Sequence, residues 1–300
     1  MNNHTHDQMV QAIVESHTAL AIPAQRSAPV TFSSKAKVYR AAKQACVALG
    51  FIDADAECVA NAWEQRFLRT GQFDAATWPD HAADFGLRPW PLQDAFAPCP
   101  DRLGLYAVLP DAAWVGRMAR AGVPTVQLRF KSNDTQAIER EVRAAVQAVQ
   151  GTDALLFIND HWQAAIGAGA YGVHLGQEDM DVAHLPDIHA AGLRLGLSSH
   201  GYAEMLRADR YGPSYIAMGA IFPTTLKRMV TAPQGAGRLG AYARLMHHYP
   251  LVAIGGIDRN NLSDVLLPGV GSVAVVRALV ADENPEAMAE SLQAAINAPS

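Results

Sequence analysis

The chain has 300 residues, half of them hydrophobic, so it is long enough for about two domains or for one large domain with a sizeable core. Its formal net charge of -5 argues against a general affinity for nucleic acid, and no apolar run is long enough to span a membrane. The N-terminus, MNNHTHDQMV, lacks the basic and apolar regions of a signal peptide, and the three irregularly spaced cysteines predict no disulfide framework. We therefore predict a cytoplasmic protein that binds neither nucleic acid nor a membrane.

The first hundred residues predict a small helical extension. Residues 1–30 are predicted to be weakly ordered. Two segments with apolar residues at helical spacing follow, KAKVYRAAKQACVAL and DADAECVANAWEQRFLR. The segment FAPCPDR, residues 96–102, contains two prolines and coincides with a change in composition. We therefore expect an N-terminal extension over residues 1–100 and a second domain over residues 101–300.

After this boundary, short apolar runs alternate with helical segments. The apolar runs are LGLYAVL, TVQLRF, ALLFIN, GVHLG, LRLGLS, YIAMGAIF, LVAIGG and SVAVV. Continuous apolar strands are typical of a parallel sheet that is buried on both faces. About eight strand–helix units in roughly 200 residues predict an α/β fold, a (β/α)8 TIM barrel preceded by the small helical segment. An open doubly wound sheet is the competing fold, although no glycine-rich dinucleotide fingerprint follows the first strand.

Polar residues follow the second predicted strand, which ends QLRFK. In a barrel, the carboxyl ends of the strands meet at one rim, and chemistry takes place there. Gln127, Arg129 and Lys131 alternate along the chain and so point the same way. Two cations and an amide suit an anion, although Lys131 by itself is equally compatible with a solvated edge.

Acidic residues follow the third and fourth predicted strands. Asn159 and Asp160 end the third strand and Asp179 follows the fourth, where each of them could instead cap the next helix. Two carboxylates at neighbouring strand ends repel each other unless a cation separates them. Because carboxylates together with water and phosphate are ligands that Mg2+ prefers, we predict a magnesium site at Asp160 and Asp179. His174, within the fourth strand, is interpreted as a core histidine with its polar atoms satisfied.

The remaining strand ends add anion-binding candidates. Ser198 ends the fifth strand and can donate a hydrogen bond to an anion. The stretch FPTTLKRMVTAPQGAG after the sixth predicts an active-site loop, with Thr224 and Thr225 as donors and Lys227 as a phosphate partner or an ordinary exposed lysine. The glycine pair that includes Gly256 allows close backbone approach to a phosphate, or a tight turn. Together the strand ends predict transfer chemistry on phosphorylated small molecules, with diphosphate as the leaving group.

Seven segments of the predicted barrel resemble those of thiamine phosphate synthases in order and spacing. They are QLRFK, FIND, GVHLGQED, LGLSSH, GAIFPTTLK, AIGGI and GSVAVV, and the resemblance covers roughly residues 103–280. It implies a transferase that uses Mg2+ to join hydroxymethylpyrimidine diphosphate to hydroxyethylthiazole phosphate, giving thiamine phosphate and diphosphate. It also implies that diphosphate departs first and that the thiazole nitrogen captures the pyrimidinylmethyl cation. The protein then mainly stabilises charge and positions the substrates.

The same resemblance implies roles for particular residues. It implies that Asp160 and Asp179 bind Mg2+. The implied substrate-binding residues are Gln127, Leu128, Arg129, Phe130, Lys131 and Asn159 for the pyrimidine diphosphate, Ser198 and Lys227 for its diphosphate group, and Thr224, Thr225, Leu226, Gly256, Val276 and Arg277 for the thiazole phosphate. Of these, the implied catalytic residues are Arg129, Lys131, Ser198 and Lys227.

Three features depart from the family pattern. Leu226 precedes Lys227 where the family often has threonine, Arg277 stands where serine is frequent, and the first strand reads LYAVLPD. None of these departures removes a metal ligand that the resemblance implies. Two alternatives share the barrel: a thiazole tautomerase, and a non-catalytic barrel that senses or carries thiazole phosphate.

The extension resembles a different family. ACVALGFIDADAECVANAW is similar to the C-terminal helical part of hydroxymethylpyrimidine phosphate kinases, but the glycine-rich anion site of those kinases is absent. This similarity implies a degenerate remnant that packs on the barrel without ATP chemistry. The sequence leaves the oligomeric state open and is compatible with a homo-oligomer.

Overall fold

The predicted barrel is present in the computed structural model, which describes residues 5–23, 29–224 and 231–298. Eight parallel strands within these residues pair in chain order, and the last pairs with the first to close the barrel. They are β1 (Gly104–Leu109), β2 (Thr125–Leu128), β3 (Leu155–Asn159), β4 (Gly172–Leu175), β5 (Arg194–Ser199), β6 (Tyr215–Met218), β7 (Leu251–Ile254) and β8 (Ser272–Val275). The α/β barrel prediction is therefore confirmed, and the open doubly wound sheet is excluded.

Helices precede the barrel and connect its strands. In the described residues they are α1 (His6–Ser16), α2 (Lys37–Ala48), α3 (Asp53–Thr70), α4 (Ala112–Arg120), α5 (Thr135–Ala148), α6 (Trp162–Ala168), α7 (Leu185–Ala190), α8 (Tyr202–Asp209), α9 (Gly235–Leu245), α10 (Leu262–Leu266), α11 (Arg277–Val280) and α12 (Pro285–Asn297). None of these helices combines the length and the apolar character that a bilayer crossing requires.

The strands separate two apolar layers. Residues that point outward, such as Leu105 and Val126, pack under the surrounding helices, while alternate residues such as Tyr106, Phe157 and Tyr215 fill the interior. A Cβ atom at Gly196 would lie only 2.1 Å from the ring of Tyr215. This glycine therefore gives the Tyr215 ring its place across the barrel interior.

The helical extension is more ordered than its sequence predicts. Helix α1 packs on α2, and its buried residues Met9 and Ile13 belong to the main core. Thr5 and Gln8 form a reciprocal capping box at its start. The predicted weak order is therefore wrong for this helix, because a short helix depends on tertiary partners that its own sequence does not reveal. Residues 1–4 and 24–28 lie outside the described residues.

Two buried charges join the extension to the barrel. Arg238, on α9, is 2% exposed and donates to the carbonyl oxygens of Leu20 and Leu49, each at 2.9 Å. Asp55, on α3, accepts a hydrogen bond of 2.9 Å from the backbone N–H of Ala203 in the first turn of α8. The extension is thus bonded to the helices that follow β5 and β6.

Candidate active site

A cavity of about 710 Å³ opens at the carboxyl ends of the strands. The side chains of a parallel barrel converge at this rim because all its strands end there. The predicted site residues that line the cavity are Gln127, Arg129, Lys131, Asn159, Asp160, Asp179, Ser198, Thr224, Gly256, Val276 and Arg277. Residues predicted from separate strand ends, from β2 to β8, therefore meet in one place.

Two described residues of the predicted site do not line the cavity. Leu128 is buried in the apolar layer under the helices, and Phe130 packs against the same layer. Alternation along β2 turns both side chains away, so the structure narrows the predicted QLRFK contact to Gln127, Arg129 and Lys131. Thr225, Leu226 and Lys227 lie outside the described residues.

The two predicted metal ligands face each other at the rim. The side chains of Asp160 and Asp179 are within hydrogen-bond contact, and Asp179 Oδ2 also accepts from the N–H of Gly176 at 2.9 Å. Burial, together with the negative charge of Asp179, raises the pKa of Asp160 to about 6. The backbone of Asp160 has a φ of 62°, an uncommon value for a residue other than glycine, which directs its carboxylate to this position. A proton or a cation between the two carboxylates would relieve this repulsion.

The helix-capping alternative does not account for Asn159, at the end of β3, or for Asp160, which follows it. Helix α6 has His161 at its N-cap, without a hydrogen bond from a side chain to the helix. Neither Asn159 nor Asp160 therefore caps α6. Asp179 bonds within its own loop through Gly176, which leaves its second oxygen for another ligand.

This donor set fits Mg2+ that arrives together with an oxyanion. Mg2+ is commonly held by one or two carboxylates, and water and substrate phosphate complete its coordination. Among the described residues, no group of three or more His, Cys, Asp or Glu is placed to hold a metal ion. The carboxylate pair thus suits a cation shared with a phosphorylated ligand and does not form an all-protein cage.

Three cations on the cavity wall form no close ion pair with the described residues, although the charge of Arg129 acts on Asp160 and tends to lower its pKa. Arg129 is half-buried, while Lys131 and Arg277 are exposed, and none of the three forms an ion pair with any described residue. They bring positive charge to a cavity that is also lined by four carboxylates, those of Asp160, Glu178, Asp179 and Asp258. A multiply charged anion is the ligand that these side chains favour.

The glycine pair after β7 permits a close approach of two backbone segments. Gly256 has a φ of +66°, and a Cβ atom there would lie 2.5 Å from the carbonyl oxygen of Pro223. The two predicted roles of the glycine pair, a tight turn and a close backbone approach, therefore occur together. Gly256 allows the segment after β7 to lie directly against the segment after β6. Thr224 and Gly256 both line the cavity as a result.

Hydrogen bonds cross the barrel interior beneath the cavity. Gln127 Nε2 donates to Asn159 Oδ1 at 2.9 Å, and the hydroxyl of Tyr106 donates to Gln127 Oε1 at 2.8 Å. The hydroxyls of Tyr106 and Tyr215 lie 2.7 Å apart. These contacts link β2 and β3 to β1 and β6.

The same hydrogen bonds continue to β5. The hydroxyl of Tyr215 lies 2.7 Å from His174 Nδ1, and His174 Nε2 lies 2.8 Å from Ser198 Oγ. His174 is thus buried with both ring nitrogens hydrogen-bonded, as predicted for a satisfied histidine, but it also lines the cavity and is not confined to the core. We refer to this set as the interior network; its members are Asn159, Gln127, Tyr106, Tyr215, His174 and Ser198.

Sequence reasoning missed the two tyrosines of this network. Both lie in apolar runs, where an aromatic residue is typical of a core. The available signal was their position: each lies two residues before another inward-facing residue, Val108 for Tyr106 and Ala217 for Tyr215. A buried tyrosine hydroxyl generally requires a hydrogen-bond partner, but the sequence does not show that the two hydroxyls meet.

Comparisons with known proteins agree on one family for the barrel. Residues 105–279 match the family model described as thiamine monophosphate synthase. The chain is 56% identical over 199 residues to the thiamine-phosphate synthase of Neisseria meningitidis serogroup B, which covers 66% of this chain and 97% of that protein. It is 50% identical over 184 residues to the thiamine-phosphate synthase of Serratia proteamaculans, which covers 61% of this chain and 87% of that protein.

A solved structure gives the same result. The thiamine phosphate pyrophosphorylase from Pyrococcus furiosus aligns with a TM-score of 0.57 at 26% sequence identity. The alignment covers 66% of this chain and 98% of that structure. The extension precedes the residues matched by the family model.

Proposed function

Because the chain belongs to the thiamine monophosphate synthase family, we propose that its rim cavity carries out the reaction of that family. The chain is a transferase that condenses 4-amino-5-hydroxymethyl-2-methylpyrimidine diphosphate with hydroxyethylthiazole phosphate, giving thiamine phosphate and diphosphate. The observation that supports this site is that one cavity brings a facing carboxylate pair, Asp160 and Asp179, together with the cations Arg129, Lys131 and Arg277.

The pyrimidine diphosphate is assigned to the side of the cavity formed by β2 and β3. Gln127 and Asn159 offer amide groups to the ring, while Arg129 and Lys131 offer positive charge to the diphosphate. Leu128 and Phe130 contribute at most their backbone, since their side chains pack against the outer apolar layer.

Mg2+ is assigned to Asp160 and Asp179. When bound there, the ion supplies positive charge that polarises the diphosphate and stabilises it as a leaving group. The two carboxylates hold this charge at the rim, and the bond from the Gly176 N–H fixes the orientation of Asp179. Without the ion, burial and the charge of Asp179 raise the pKa of Asp160, and a cation bound between the two carboxylates would oppose that change.

The proposed reaction breaks the bond between the pyrimidinylmethyl carbon and the diphosphate oxygen. The electron pair leaves with diphosphate, and the thiazole nitrogen then forms a bond to the resulting carbocation. Arg129, Lys131 and Ser198 face the negative charge that accumulates on the leaving group, so their contribution is electrostatic. No side chain is required as a nucleophile. Lys227, which lies outside the described residues, keeps its predicted role as a further diphosphate contact.

The thiazole phosphate is assigned to the opposite side of the cavity. Thr224, Gly256, Val276 and Arg277 line this side, and the close contact of Gly256 with Pro223 brings two loops together there. Arg277, one of the departures from the family pattern, adds a positive charge to this subsite. Thr225 and Leu226 lie outside the described residues and keep their predicted roles in binding this phosphate.

The extension over residues 1–100 is proposed to be a helical scaffold for the barrel over residues 101–300. Its hydrogen bonds to α8 and α9 support a packing role. The absence of a glycine-rich anion site from its sequence supports a lack of ATP chemistry. Measurable ATP turnover by the purified protein would contradict this assignment.

The location and partners follow from the same assignment. Cys46, Cys58 and Cys99 are free thiols, as expected for a reducing cytoplasm. The substrates are small molecules, and we propose no nucleic-acid or membrane partner.

The deciding experiment mixes the purified protein with both phosphorylated substrates, with and without Mg2+, and measures thiamine phosphate and diphosphate. We expect equimolar products that require Mg2+. Metal-independent isomerisation of the thiazole phosphate would instead indicate a tautomerase. Binding of thiazole phosphate without any turnover would indicate a carrier or sensor.

A further inference from the structure

We propose that the interior network couples the two ends of the pyrimidine diphosphate site, so that an anion at Ser198 and a ring amino group at Asn159 each strengthen the binding of the other. The identity of these ligands rests on the proposed function. The residues that transmit the coupling, Tyr106, Tyr215 and His174, are positioning residues that were not predicted as part of the site.

The number of hydrogens in the interior network limits the ways in which its hydrogen bonds can be arranged. A tyrosine hydroxyl carries one hydrogen, and a neutral histidine ring carries one N–H. Each hydroxyl of Tyr106 and Tyr215 lies between two network partners, and both nitrogens of His174 have one network partner each. Each of these residues therefore donates to one neighbour and accepts from the other, so all the hydrogen bonds of the network run in the same direction from donor to acceptor. If a ligand fixes this direction at one end of the network, it also fixes the direction at the other end.

One direction matches the amide orientations in the structure, where Gln127 Oε1 accepts from Tyr106 and Gln127 Nε2 donates to Asn159 Oδ1. Ser198 then uses its only hydrogen to donate to His174 Nε2. A ligand at Ser198 then meets only the lone pairs of its oxygen. These lone pairs accept a hydrogen bond from a donor but repel an anion. In this direction the successive donors are Ser198, His174, Tyr215, Tyr106 and Gln127.

The opposite direction satisfies the same distances between heavy atoms. The amides of Gln127 and Asn159 turn over, the hydroxyls rotate, and the N–H of His174 moves from Nδ1 to Nε2, with no change in net charge. His174 then donates to Ser198, whose hydrogen is released for an anion. Asn159, which lines the cavity, presents Oδ1 where it previously presented Nδ2. In this direction the successive donors are Asn159, Gln127, Tyr106, Tyr215, His174 and Ser198.

Burial keeps the two directions distinct. Tyr106 is 1% exposed and Tyr215 is fully buried, so solvent does not replace a missing partner for either hydroxyl. Burial also raises the pKa of both phenols well above its ordinary value, which keeps each hydroxyl neutral with its single hydrogen. A junction where two donors or two acceptors meet would leave a buried polar group unpaired, and such mixed arrangements are disfavoured.

The consequence concerns recognition. The departing diphosphate needs a donor from Ser198, and the 4-amino group of the pyrimidine needs an acceptor from Asn159. Both ligands stabilise the second direction. The ligand that binds first bears the free-energy cost of reversing the network, and the other ligand then binds without that cost. A ring with a carbonyl at the same position needs a donor instead, and it stabilises the first direction. The interior network thereby favours an aminopyrimidine over an oxopyrimidine only when the anion is present.

Calorimetric titration tests the coupling without requiring turnover. The probes are inorganic diphosphate and 4-amino-5-hydroxymethyl-2-methylpyrimidine, each titrated alone and in the presence of the other at constant Mg2+. For the wild-type protein we expect the affinity of each to rise about 10-fold in the presence of the other, within the usual range of coupling between sites. The 4-oxo analogue is expected to lower the affinity for diphosphate.

Two substitutions interrupt the interior network without removing a ring. Tyr215→Phe and Tyr106→Phe each separate the two ends, so both ligands should still bind but the coupling should fall to about 1-fold, that is, to none. Tyr249→Phe is the matched control, since Tyr249 is also buried and donates a hydrogen bond of 2.8 Å to Asp209, and neither residue lines the cavity. Coupling should persist in this control.

Nitrogen-15 NMR of the His174 ring gives an independent measurement. We expect the Nδ1–H form in the free protein and the Nε2–H form with diphosphate bound. Unchanged coupling in Tyr215→Phe and Tyr106→Phe, or coupling of the same sign for the amino and oxo rings, would overturn the inference, as would an unchanged His174 tautomer. Coupling in a protein that makes no thiamine phosphate would instead contradict the proposed function alone.

Discussion

Two aspartates in different regions of the molecule have the same raised pKa. Burial raises the pKa of Asp55, at the contact between the extension and the barrel, to about 6, although hydrogen bonds from backbone N–H groups and the charge of Arg238 oppose the change. Burial and the charge of Asp179 raise the pKa of Asp160, at the rim, to about 6 as well. Asp55 has its partners within the chain, whereas the nearest partner of Asp160 is another acid. The partners, and not the pKa value, distinguish the structural aspartate from the functional one.

The largest effect is expected from a substitution at the rim, where it should abolish most of the turnover. Asp179→Ala should lower Mg2+-dependent turnover by more than about 100-fold, because loss of an outer partner of a metal ligand already costs 10- to 100-fold. The fold should persist, and the melting temperature without metal should not fall, because a repulsion at the rim is removed. Turnover assays and thermal unfolding of the same preparation check both expectations. Near wild-type activity would refute the ligand role of Asp179.

The next largest effect is expected on stability, at the contact between the extension and the barrel. Arg238→Met should destabilise the protein by about 3 kcal/mol, because it leaves the Leu20 and Leu49 carbonyl groups and the charge of Asp55 without their buried cation. Urea unfolding measures this loss. Arg244→Met, on the same helix, is the matched control: Arg244 is exposed and its ion pair with Asp80 is 3.6 Å long, so the change should be below about 0.5 kcal/mol. Equal losses in the two variants would contradict the role of Arg238.

The raised pKa of Asp55 should make the stability of the protein depend on pH. The pKa of Asp55 is about 6 in the folded protein against 3.8 for the ordinary group. The folded state therefore binds the proton more tightly, and the stability that this gives is complete below about pH 4 and is lost as the pH rises through 6. The free energy of unfolding of the wild type, relative to that of Asp55→Asn, should fall by about 2 kcal/mol between pH 4 and 7.

Mg2+ should leave this Asp55 difference unchanged. At the rim, in contrast, bound Mg2+ should lower the pKa of Asp160, because a cation there favours the ionised carboxylate. Carboxyl NMR titrations with and without Mg2+ distinguish the two aspartates. A response of Asp55 to the metal equal to that of Asp160 would remove the distinction between the two regions.

The smallest expected effect concerns the departure at Arg277. Its side chain is exposed at the cavity, so Arg277→Ser should raise the KM for the thiazole phosphate by about 5-fold and leave kcat nearly unchanged. Steady-state kinetics at saturating pyrimidine diphosphate measure this change. A fall in KM would mean that the arginine crowds the phosphate.

The barrel was predictable because its signals are local. Continuous apolar strands ending in polar residues are visible along the chain, and parallel topology brings those ends together. The contacts that cross the barrel were not predictable: Tyr106, Tyr215 and His174 lie on β1, β6 and β4, which are not neighbours in the sheet. Alternation did predict that Gln127 and Arg129 share a face, as they do.

The extension was less predictable because its partners are remote in sequence. Helix α1 is ordered by α2, and Arg238 reads in the sequence as an ordinary charged residue of an amphipathic helix. Nothing local indicates that its guanidinium is buried between two carbonyl groups of the extension. The positive φ of Asp160, which brings its carboxylate towards Asp179, is likewise a product of the folded environment.

The bonds of Arg238 also constrain the order of folding during synthesis. They join residues separated by 218 and 189 positions, so the segment that leaves the ribosome first waits for one of the last helices of the barrel. Until α9 emerges, the extension has only α8 of these two barrel helices to pack against, and contacts of such long sequence separation form slowly. The extension is thus synthesised first but keeps unfilled contacts until α9 has formed, and a nascent chain halted before α9 would be a natural client for chaperones.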